Sequence, residues 1–413
     1  MITTINNEHK KLNAPNKQEQ NQTCLDAAER EGLRPKGNIP NLRFPEFQEE
    51  WEKCKLGTLT AKVGSGSTPK GGNTVYTSTG HCFVRSQNVG MGYLILDDVA
   101  HINDGIHQKH KATELKEDDV LLNITGASIG RTAIATKEIE GGNVNQHVCI
   151  IRANSKVSPK FLCNYIQTKK IQNYIQSLQT GGSREGLNFE QIRSFPISLP
   201  NIAEQNKIAQ LLDKLNERIA TQSKIIDKLQ SLIKGLRVRL IQIENGNIVH
   251  LGEIARIYQP QTISSTELTE DGFLVYGANG IIGKYKEYNH KTEQICITCR
   301  GNTCGMVNYS KPMSWITGNA MVINTDEHQN KVCKRYLYHY LSAYNFNSLI
   351  SGSGQPQIVR TPLEQLKVTL PTFLEQKQKA TFLDKIQGKI EISNKTLNLY
   401  LQQKQYLLRQ MFI

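Results

Sequence analysis

The amino-acid sequence predicts a mixed α/β fold in which two tandem α/β domains are separated by two long helices. Apolar residues recur about every 3.5 positions over residues 201–243, the period of long helices that wrap around one another. The same segment returns 171 positions later, at the end of the sequence. Elsewhere, short apolar runs alternate with Gly, Ser, Thr and Asn clusters, which is typical of strands and loops. The chain is therefore predicted to be a tandem repeat.

Each long helix carries a seam of apolar residues with one polar break, at Gln222 in the first and at Ser393 in the second. A break that recurs at the matching position favours duplication over coincidence. We expect the seams to pair the two helices. The predicted subunit-interface residues are the seam members Leu212, Leu215, Ile219, Ile226, Leu229, Leu383, Ile386, Ile390, Leu397 and Leu407.

Taken in order, the composition divides the chain into five segments. Residues 1–43 are polar, with few large apolar side chains, and are predicted to form a mobile N-terminal tail. The remaining segments are a first α/β domain at 44–200, a central helix at 201–243, a second α/β domain at 244–371 and a C-terminal helix at 372–413. Asn201, followed three positions later by Glu204, predicts a capped start for the central helix.

The two domains share short matching segments, but the residues between these segments differ. The loop Asn123–Gly130 matches Thr298–Gly305, and Asn145 is matched with Asn319. The intervening residues hardly agree, so a shared scaffold with divergent loops is predicted. Two domains that recognise different targets would show this pattern. Divergence of the loops under relaxed selection would show it too.

The formal net charge is +13, and most of it falls on the two long helices. A basic balance suggests a polyanionic partner, most often nucleic acid. A Lys-rich, solvated coiled-coil exterior is the alternative, and charge alone leaves both open. No apolar run reaches the ~20 residues of a membrane span. With nine cysteines and no secretory signal, we expect a cytoplasmic protein.

The sequence contains no catalytic constellation that we recognise, and no phosphate-binding loop. Cys296, Cys299 and Cys304 are interpreted as structural thiols and not as a zinc site, because strand residues three apart point to opposite faces. His101 and His110, with His107 between them, are predicted to face solvent. No metal site is predicted.

Several short motifs, in a fixed order, resemble the DNA-specificity subunit of type I restriction–modification systems over about Phe44–Ile413. The motifs are Trp51 with Leu56–Gly57, Gly66–Pro69, Val84–Val89, Gly126–Arg131, Asn145–His147, Gly182–Ser183 with Leu187–Asn188, and Glu204–Gln205 in the first turns of the central helix. The second half departs from them in two places. Ala320 stands for Gln146, and Gly354–Pro356 stands for Ser183–Glu185.

The resemblance implies a non-catalytic reader with two target recognition domains, whose long helices pair as an antiparallel coiled-coil spacer with pseudo-two-fold symmetry. It implies an asymmetric bipartite target in double-stranded DNA. Two modification (methyltransferase) subunits and the restriction (endonuclease/translocase) subunits would be the partners. S-adenosylmethionine, ATP and Mg would be bound by those partners, and no cofactor is expected in this chain.

Base reading uses Arg or Lys toward guanine and Asn or Gln toward adenine, with cations on nearby phosphates. The predicted DNA-binding residues of the first domain are Lys70, Arg85, Gln87, Asn88, Arg131 and Arg184. Those of the second domain are Asn279, Lys284, Arg300, Asn302, Gln355 and Arg360. The alternative is a coiled-coil scaffold whose globular halves bind proteins; salt-dependent affinity for duplex DNA would distinguish the two.

Overall fold

The computed structural model describes residues 37–179, 186–242, 245–352 and 354–413. These residues divide into two compact units. The first unit comprises the described residues of 37–221 together with 397–413, and the second comprises those of 222–396. Each unit is a mixed α/β structure, which confirms that part of the predicted fold class.

In the first unit, a four-stranded and a three-stranded sheet pack around the core, and a separate two-stranded ribbon lies at the unit's chain ends. The strands are β1 (Glu52–Lys55), β2 (Thr60–Ser65), β3 (His81–Val84), β4 (Ala100–Ile102), β5 (Val120–Asn123), β6 (Thr132–Ile134), β7 (Asn143–Val144), β8 (Val148–Ala153) and β9 (Pro196–Leu199). The larger sheet has the order β2-β8-β5-β6 and the smaller one β4-β3-β7. The ribbon pairs β1 with β9 antiparallel.

Besides part of a long helix, the first unit has four short helices, three of which begin at a residue whose side chain caps the helix. They are α1 (Asp104–Lys109), α2 (Pro159–Ile166), α3 (Lys169–Ser177) and α4 (Phe189–Arg193). Proline occupies the first position of α2, where its missing N–H costs nothing. Asn188 caps α4 and exchanges side-chain hydrogen bonds with Gln191 at 2.8 and 2.9 Å, a complete capping box.

The second unit repeats the strand order of the first. Its strands are β10 (Asn247–His250), β11 (Arg256–Tyr258), β12 (Phe273–Gly277), β13 (Gly280–Tyr285), β14 (Ile295–Thr298), β15 (Val307–Tyr309), β16 (Trp315–Ile316), β17 (Ala320–Asn324) and β18 (Lys367–Leu370). The sheets read β11-β17-β14-β15 and β13-β12-β16, and the ribbon pairs β10 with β18. The repeat seen in the sequence is therefore a repeat of topology.

Strand register corrects one of the sequence matches. Asn123 on β5 lies opposite Val148, and Thr298 on β14 lies opposite Ala320. Ala320 therefore corresponds to Val148, and not to Gln146 as the sequence comparison had it. Matching one asparagine by its letter misaligned the loop before the strand by two residues.

Two long helices dominate the remaining structure. α5 spans Ile202–Ile241 and has 40 residues, which makes it about 60 Å long at 1.5 Å per residue. After two shorter helices, α6 (Lys334–Ala343) and α7 (Arg360–Glu364), α8 spans Phe373–Gln410 and has 38 residues. Among the described residues, no helix is both long and apolar enough to cross a membrane.

Each unit buries part of both long helices in its own core. In the first unit, Leu212 and Leu215 of α5 join a cluster that also contains Leu407 and Phe412. In the second unit, the α5 and α8 residues of the cluster are Ile233, Leu240, Ala380, Leu383, Ile386 and Ile390. Full burial of one such side chain stabilises the fold by about 1.5–3 kcal/mol, so these contacts fasten each domain to the helices.

The segment 37–43, which the sequence assigns to a mobile tail, is held against the first unit. Arg43 makes two 2.8 Å hydrogen bonds to the carboxylate of Glu204, which is fully buried. The Leu42 N–H donates to the carbonyl of Gln410 at 2.9 Å. Polar composition predicted mobility, but a buried ion pair orders the end of this segment. Residues 1–36 of the predicted tail lie outside the described residues.

The long helices start differently. The Asn201 side chain accepts from the Glu204 N–H at 2.9 Å, as a cap should, but the Glu204 carboxylate turns to Arg43. At the start of α8, Thr372 and Glu375 form the full reciprocal box, with bonds of 2.9 and 3.3 Å. At the start of α5, an ion pair therefore replaces one of the two hydrogen bonds of the capping box.

Candidate nucleic-acid interface

In the first unit, the loops at the ends of several strands meet at one place. The Asn123 side chain donates to the carbonyl of Ser86 at 2.8 Å, and the Thr125 hydroxyl lies 2.6 Å from Nδ1 of His147. These bonds join the loops that follow β3, β5 and β7. The predicted motifs, though distant in sequence, form one polar surface.

The loop that follows β2 approaches this surface very closely. A Cβ on Gly66 would lie 1.7 Å from the carbonyl oxygen of Val144, so only glycine fits there. Lys70 at the end of the loop is exposed, as is Arg131 after β5. Both remain candidates for phosphate contacts. Arg184, also predicted to bind DNA, lies outside the described residues.

Arg85 and Gln87 are both tethered to Asp98. The guanidinium of Arg85 donates to the Asp98 carbonyl at 3.3 Å, lies 3.9 Å from its carboxylate and covers the ring of Tyr76 at 5.6 Å. Gln87 donates to the same carboxylate at 3.0 Å. Asp98 is 86% exposed, so these are surface contacts that a phosphate or a base edge can replace.

The prediction that Asn88 binds DNA is wrong. Its side chain is 1% exposed. Its oxygen accepts from the Arg85 N–H at 2.9 Å, and its amide donates to the Ile95 carbonyl at 2.9 Å. With both ends engaged by the backbone, Asn88 shapes the loop on which Arg85 and Gln87 stand.

His107 was predicted to face solvent, and this prediction is also wrong. The imidazole is 2% exposed and stacks on His81 with ring centroids 3.8 Å apart. Its Nδ1 lies 2.8 Å from the side-chain oxygen of Asn143, which sits on β7. The helix α1 turns this residue inward, and the hydrogen bond satisfies the buried ring. His101 and His110 are partly exposed.

In the second unit, most of the predicted DNA-binding residues are exposed: Asn279, Arg300, Asn302, Gln355 and Arg360. Lys284 is half-buried on β13, 3.6 Å from Asp271. Arg360 lies 2.7 Å from Glu364 one helical turn on. The structure therefore places these side chains at the surface, as contact with DNA would need.

Arg300 and Arg360 line one cavity of about 350 Å³. The other lining residues are Tyr258, Gln259, Met321, Gln357, Ile358 and Val359. Tyr258, Gln259 and Gln357 were not among the predicted DNA-binding residues. A signal for Gln259 was available, since it directly follows β11. Gln357 lies beside Arg300 through a bridge between residues distant in sequence, and it is also bridged to Ser351, so spacing in the sequence gives no sign of it.

The predicted subunit-interface residues lie within this chain's own packing. Seven of them are buried, namely Leu212, Leu215, Ile226, Leu383, Ile386, Ile390 and Leu407. The other three are half-buried, namely Ile219, Leu229 and Leu397. A seam that is already covered by the same chain is not open to a second subunit.

Cys296 on β14 and Cys299 directly after this strand are packing residues. Cys296 and Cys299 are buried in different apolar clusters, as opposite strand faces require. Burial raises the pKa of Cys296 to about 12, so its thiol stays protonated. Across the described ranges, no three His, Cys, Asp or Glu side chains are grouped to hold a metal ion.

A family model described as the type I restriction modification DNA specificity domain matches residues 48–231 and again 244–401. The EcoprrI specificity subunit of a type I restriction enzyme from Escherichia coli is 26% identical over 67% of this chain and 73% of its own length. The putative MjaX specificity subunit from Methanocaldococcus jannaschii is 23% identical over 87% of this chain and 92% of its own.

Solved structures show the same fold. The type I restriction–modification S subunit of M. genitalium superposes with a TM-score of 0.67 at 17% identity, covering 91% of this chain and 99% of that one. A chain from a study of complex assembly and conformational transition in a type I system gives a TM-score of 0.51 at 17% identity, covering 89% and 98%.

Proposed function

The chain belongs to the type I restriction modification DNA specificity family, and from this premise we propose that it reads an asymmetric bipartite sequence in double-stranded DNA. The observation that carries the proposal is the repeated topology whose strand-end loops bear different side chains in each unit. Each of the two units, which share one scaffold, would contact one half-site of the DNA. Because their loop residues differ, the two half-sites would differ in sequence. The chain supplies recognition, and catalysis belongs to other subunits.

We propose that α5 and α8 pair as an antiparallel coiled coil that spaces the two readers. Contacts within each unit support this. In the second unit, the side chain of Gln222 donates to the carbonyl of Ser393 at 3.3 Å, so the two polar breaks of the seams meet. Readers on one face of the duplex favour half-site centres about one turn apart, roughly 34 Å.

The proposed partners are two modification subunits and the restriction subunits, acting in the cytoplasm. Exposed apolar side chains on the long helices support docking there, because the buried seam cannot serve. In the second unit these include Ile225, Leu232, Phe382 and Ile392, which are 41–65% exposed. S-adenosylmethionine, ATP and Mg would be bound by the partners, which would methylate adenine or cleave at the site this chain selects.

Sequencing of N6-methyladenine in the native host, with and without this gene, tests the proposal. We expect one bipartite, asymmetric motif to lose methylation in both half-sites when the gene is deleted, and to regain it on complementation. An unchanged methylome, in a host whose modification partner is expressed, would reject the proposal. Affinity for duplex DNA that does not fall with salt would then favour the protein-binding scaffold.

A further inference from the structure

Arg300 and Thr125 occupy the same place in the two units. Each lies two residues beyond a matching strand, β14 or β5. Each forms an isolated antiparallel bridge, Arg300 with Gln357 and Thr125 with Gly186. The bridge closes the loop at the exposed strand end in both units. The two positions are therefore equivalent by backbone pairing, independent of any sequence alignment.

The side chains at this equivalent place are chemically different. In the first unit the bridged residues are Thr125 and Gly186, which offer one hydroxyl, and that hydroxyl already contacts His147. In the second unit the bridged residues are Arg300 and Gln357, beside a cavity of about 350 Å³. If the two half-sites differ, this is a place where the difference is built in.

The backbone under Arg300 is held from several directions. The Gly301 N–H donates to the Pro356 carbonyl and the Ile358 N–H to the Cys299 carbonyl, each at 3.0 Å. Directly bridged residues hold their Cβ atoms about 4.5–5.5 Å apart on the same face. The Arg300 and Gln357 side chains therefore rise side by side from a fixed base, as direct readout of a base edge requires.

Of the three cations predicted to bind DNA in the second unit, Arg300 alone has no ion pair within the described residues. Its side chain is exposed and has no hydrogen bond or ion pair to any residue that the structure describes. By contrast, Arg360 lies 2.7 Å from Glu364 and Lys284 lies 3.6 Å from Asp271. A guanidinium without an internal partner keeps its five donors for a ligand, whereas the other two are partly neutralised.

We propose that Arg300, with Gln357 beside it, reads a guanine in the half-site recognised by the second unit. This inference rests on the proposed function and names the base chemistry of that same site. A guanidinium donates in parallel to O6 and N7 of guanine, the commonest specific contact in the major groove. Gln357 would contact the neighbouring base pair. Thr125 cannot make this bidentate contact, so the equivalent position of the first unit does not read a guanine in the same way.

The experiment uses the complete modification complex of this chain with its partners, and measures methylation on a duplex library randomised in both half-sites. The variants are Arg300→Thr, which installs the first unit's residue, and Arg300→Lys, which keeps the charge but loses the planar fork. Lys291→Thr, an exposed cation of the same unit outside the cavity, is the matched control for lost charge.

For the wild type we expect guanine at one position of one half-site. Arg300→Thr should lower that preference roughly 5- to 150-fold, with the other half-site unchanged. Arg300→Lys should fall between the two, and Lys291→Thr should leave the base preferences intact. Because Arg300 is exposed, both variants should fold, which the thermal midpoint checks.

Uniform weakening of all sequences by Arg300→Thr, with base preferences preserved and a salt slope shallower by about one, would identify a phosphate contact and overturn the inference. Altered preference in the other half-site would also overturn it. A wild-type complex that methylates no bipartite site would overturn the proposed function itself. A bipartite wild type with unaltered variants would reject only the role of Arg300.

Discussion

At the scale of single residues, the ion pair between Arg43 and Glu204 shows how one contact can order a segment of polar composition. We predict that Arg43→Ala lowers the free energy of unfolding of the first unit by about 3–5 kcal/mol, because it leaves a fully buried carboxylate without its partner. Chemical denaturation measures the loss. Glu375→Ala is the control, because Glu375 is the exposed counterpart in α8 of the buried Glu204. This variant should lower the free energy of unfolding by less. A loss for Arg43→Ala as small as the control's would contradict the prediction.

A second polar cluster fixes the charge of His339 in the second unit. Its Nδ1 accepts a hydrogen bond from Nε of Arg237 at 3.1 Å, so that nitrogen carries no proton. The opposite nitrogen donates to Asp384 at 2.8 Å. Burial lowers the pKa of His339. Burial opposes ionisation of Asp384, yet hydrogen bonds from His339 and Arg335 outweigh it and keep the pKa of that carboxyl low. The ring is therefore neutral, between two charged groups.

This arrangement predicts acid sensitivity. Below about pH 6.5, His339 binds a proton in the unfolded chain but not in the folded chain. The free energy of unfolding therefore decreases as the pH falls, by at most about 1.4 kcal/mol per pH unit. His339→Asn, which installs the equivalent Asn164, should flatten the thermal midpoint between about pH 7.5 and 5. Burial lowers the pKa of His290 to about 4, which adds a similar slope to both proteins, so their difference isolates His339.

His328→Asn is the control for that measurement, because its imidazole lies outside the cluster. This variant removes one imidazole without changing Arg237, His339 or Asp384, so it measures the effect of losing a histidine outside the cluster. Equal slopes for wild type and His339→Asn would show that His339 titrates alike in the folded and unfolded chain. The hydrogen-bond geometry would then not set its charge.

At the scale of elements, the lengths of α5 and α8 acquire a functional meaning if the helices space two readers. Inserting one heptad into both helices, after Gln222 and after Ser393, adds about 10.5 Å and preserves the seam. We expect the unread gap of the methylated motif to grow by about three base pairs with both half-sites unchanged. Methylome sequencing reads the gap directly. An altered half-site with an unchanged gap would contradict the spacer role.

Elements were also where sequence reasoning succeeded best. Heptad periodicity needs only the order of apolar residues, so the two long helices and their repetition were visible in it. Strand register depends on hydrogen bonds between distant segments, which is why a single asparagine misled the match at Ala320. Loop side chains such as Asn88 were misjudged for the same reason, since a buried amide and an exposed one look alike in sequence.

At the scale of the whole molecule, the family and the mixed α/β class were predictable because ordered motifs recur in both halves. The candidate surface was predicted less completely. Arg300 was named, but the bridge that sets Gln357 beside it joins loops more than 50 residues apart. Chemistry that depends on such closures cannot be inferred from spacing, while chemistry carried by a repeat can.

The two-stranded ribbons have a consequence for how such proteins change over generations. β9, which pairs with β1, ends just before α5 begins. In the same way β18, which pairs with β10, ends just before α8. Each reader thus enters and leaves the scaffold through neighbouring strands only about 5 Å apart. Genetic recombination inside these ribbons, with one crossover in each strand, would replace a whole α/β domain while leaving the two long helices intact. New target sequences could then arise by one exchange of a whole domain, without a path of intermediate mutations.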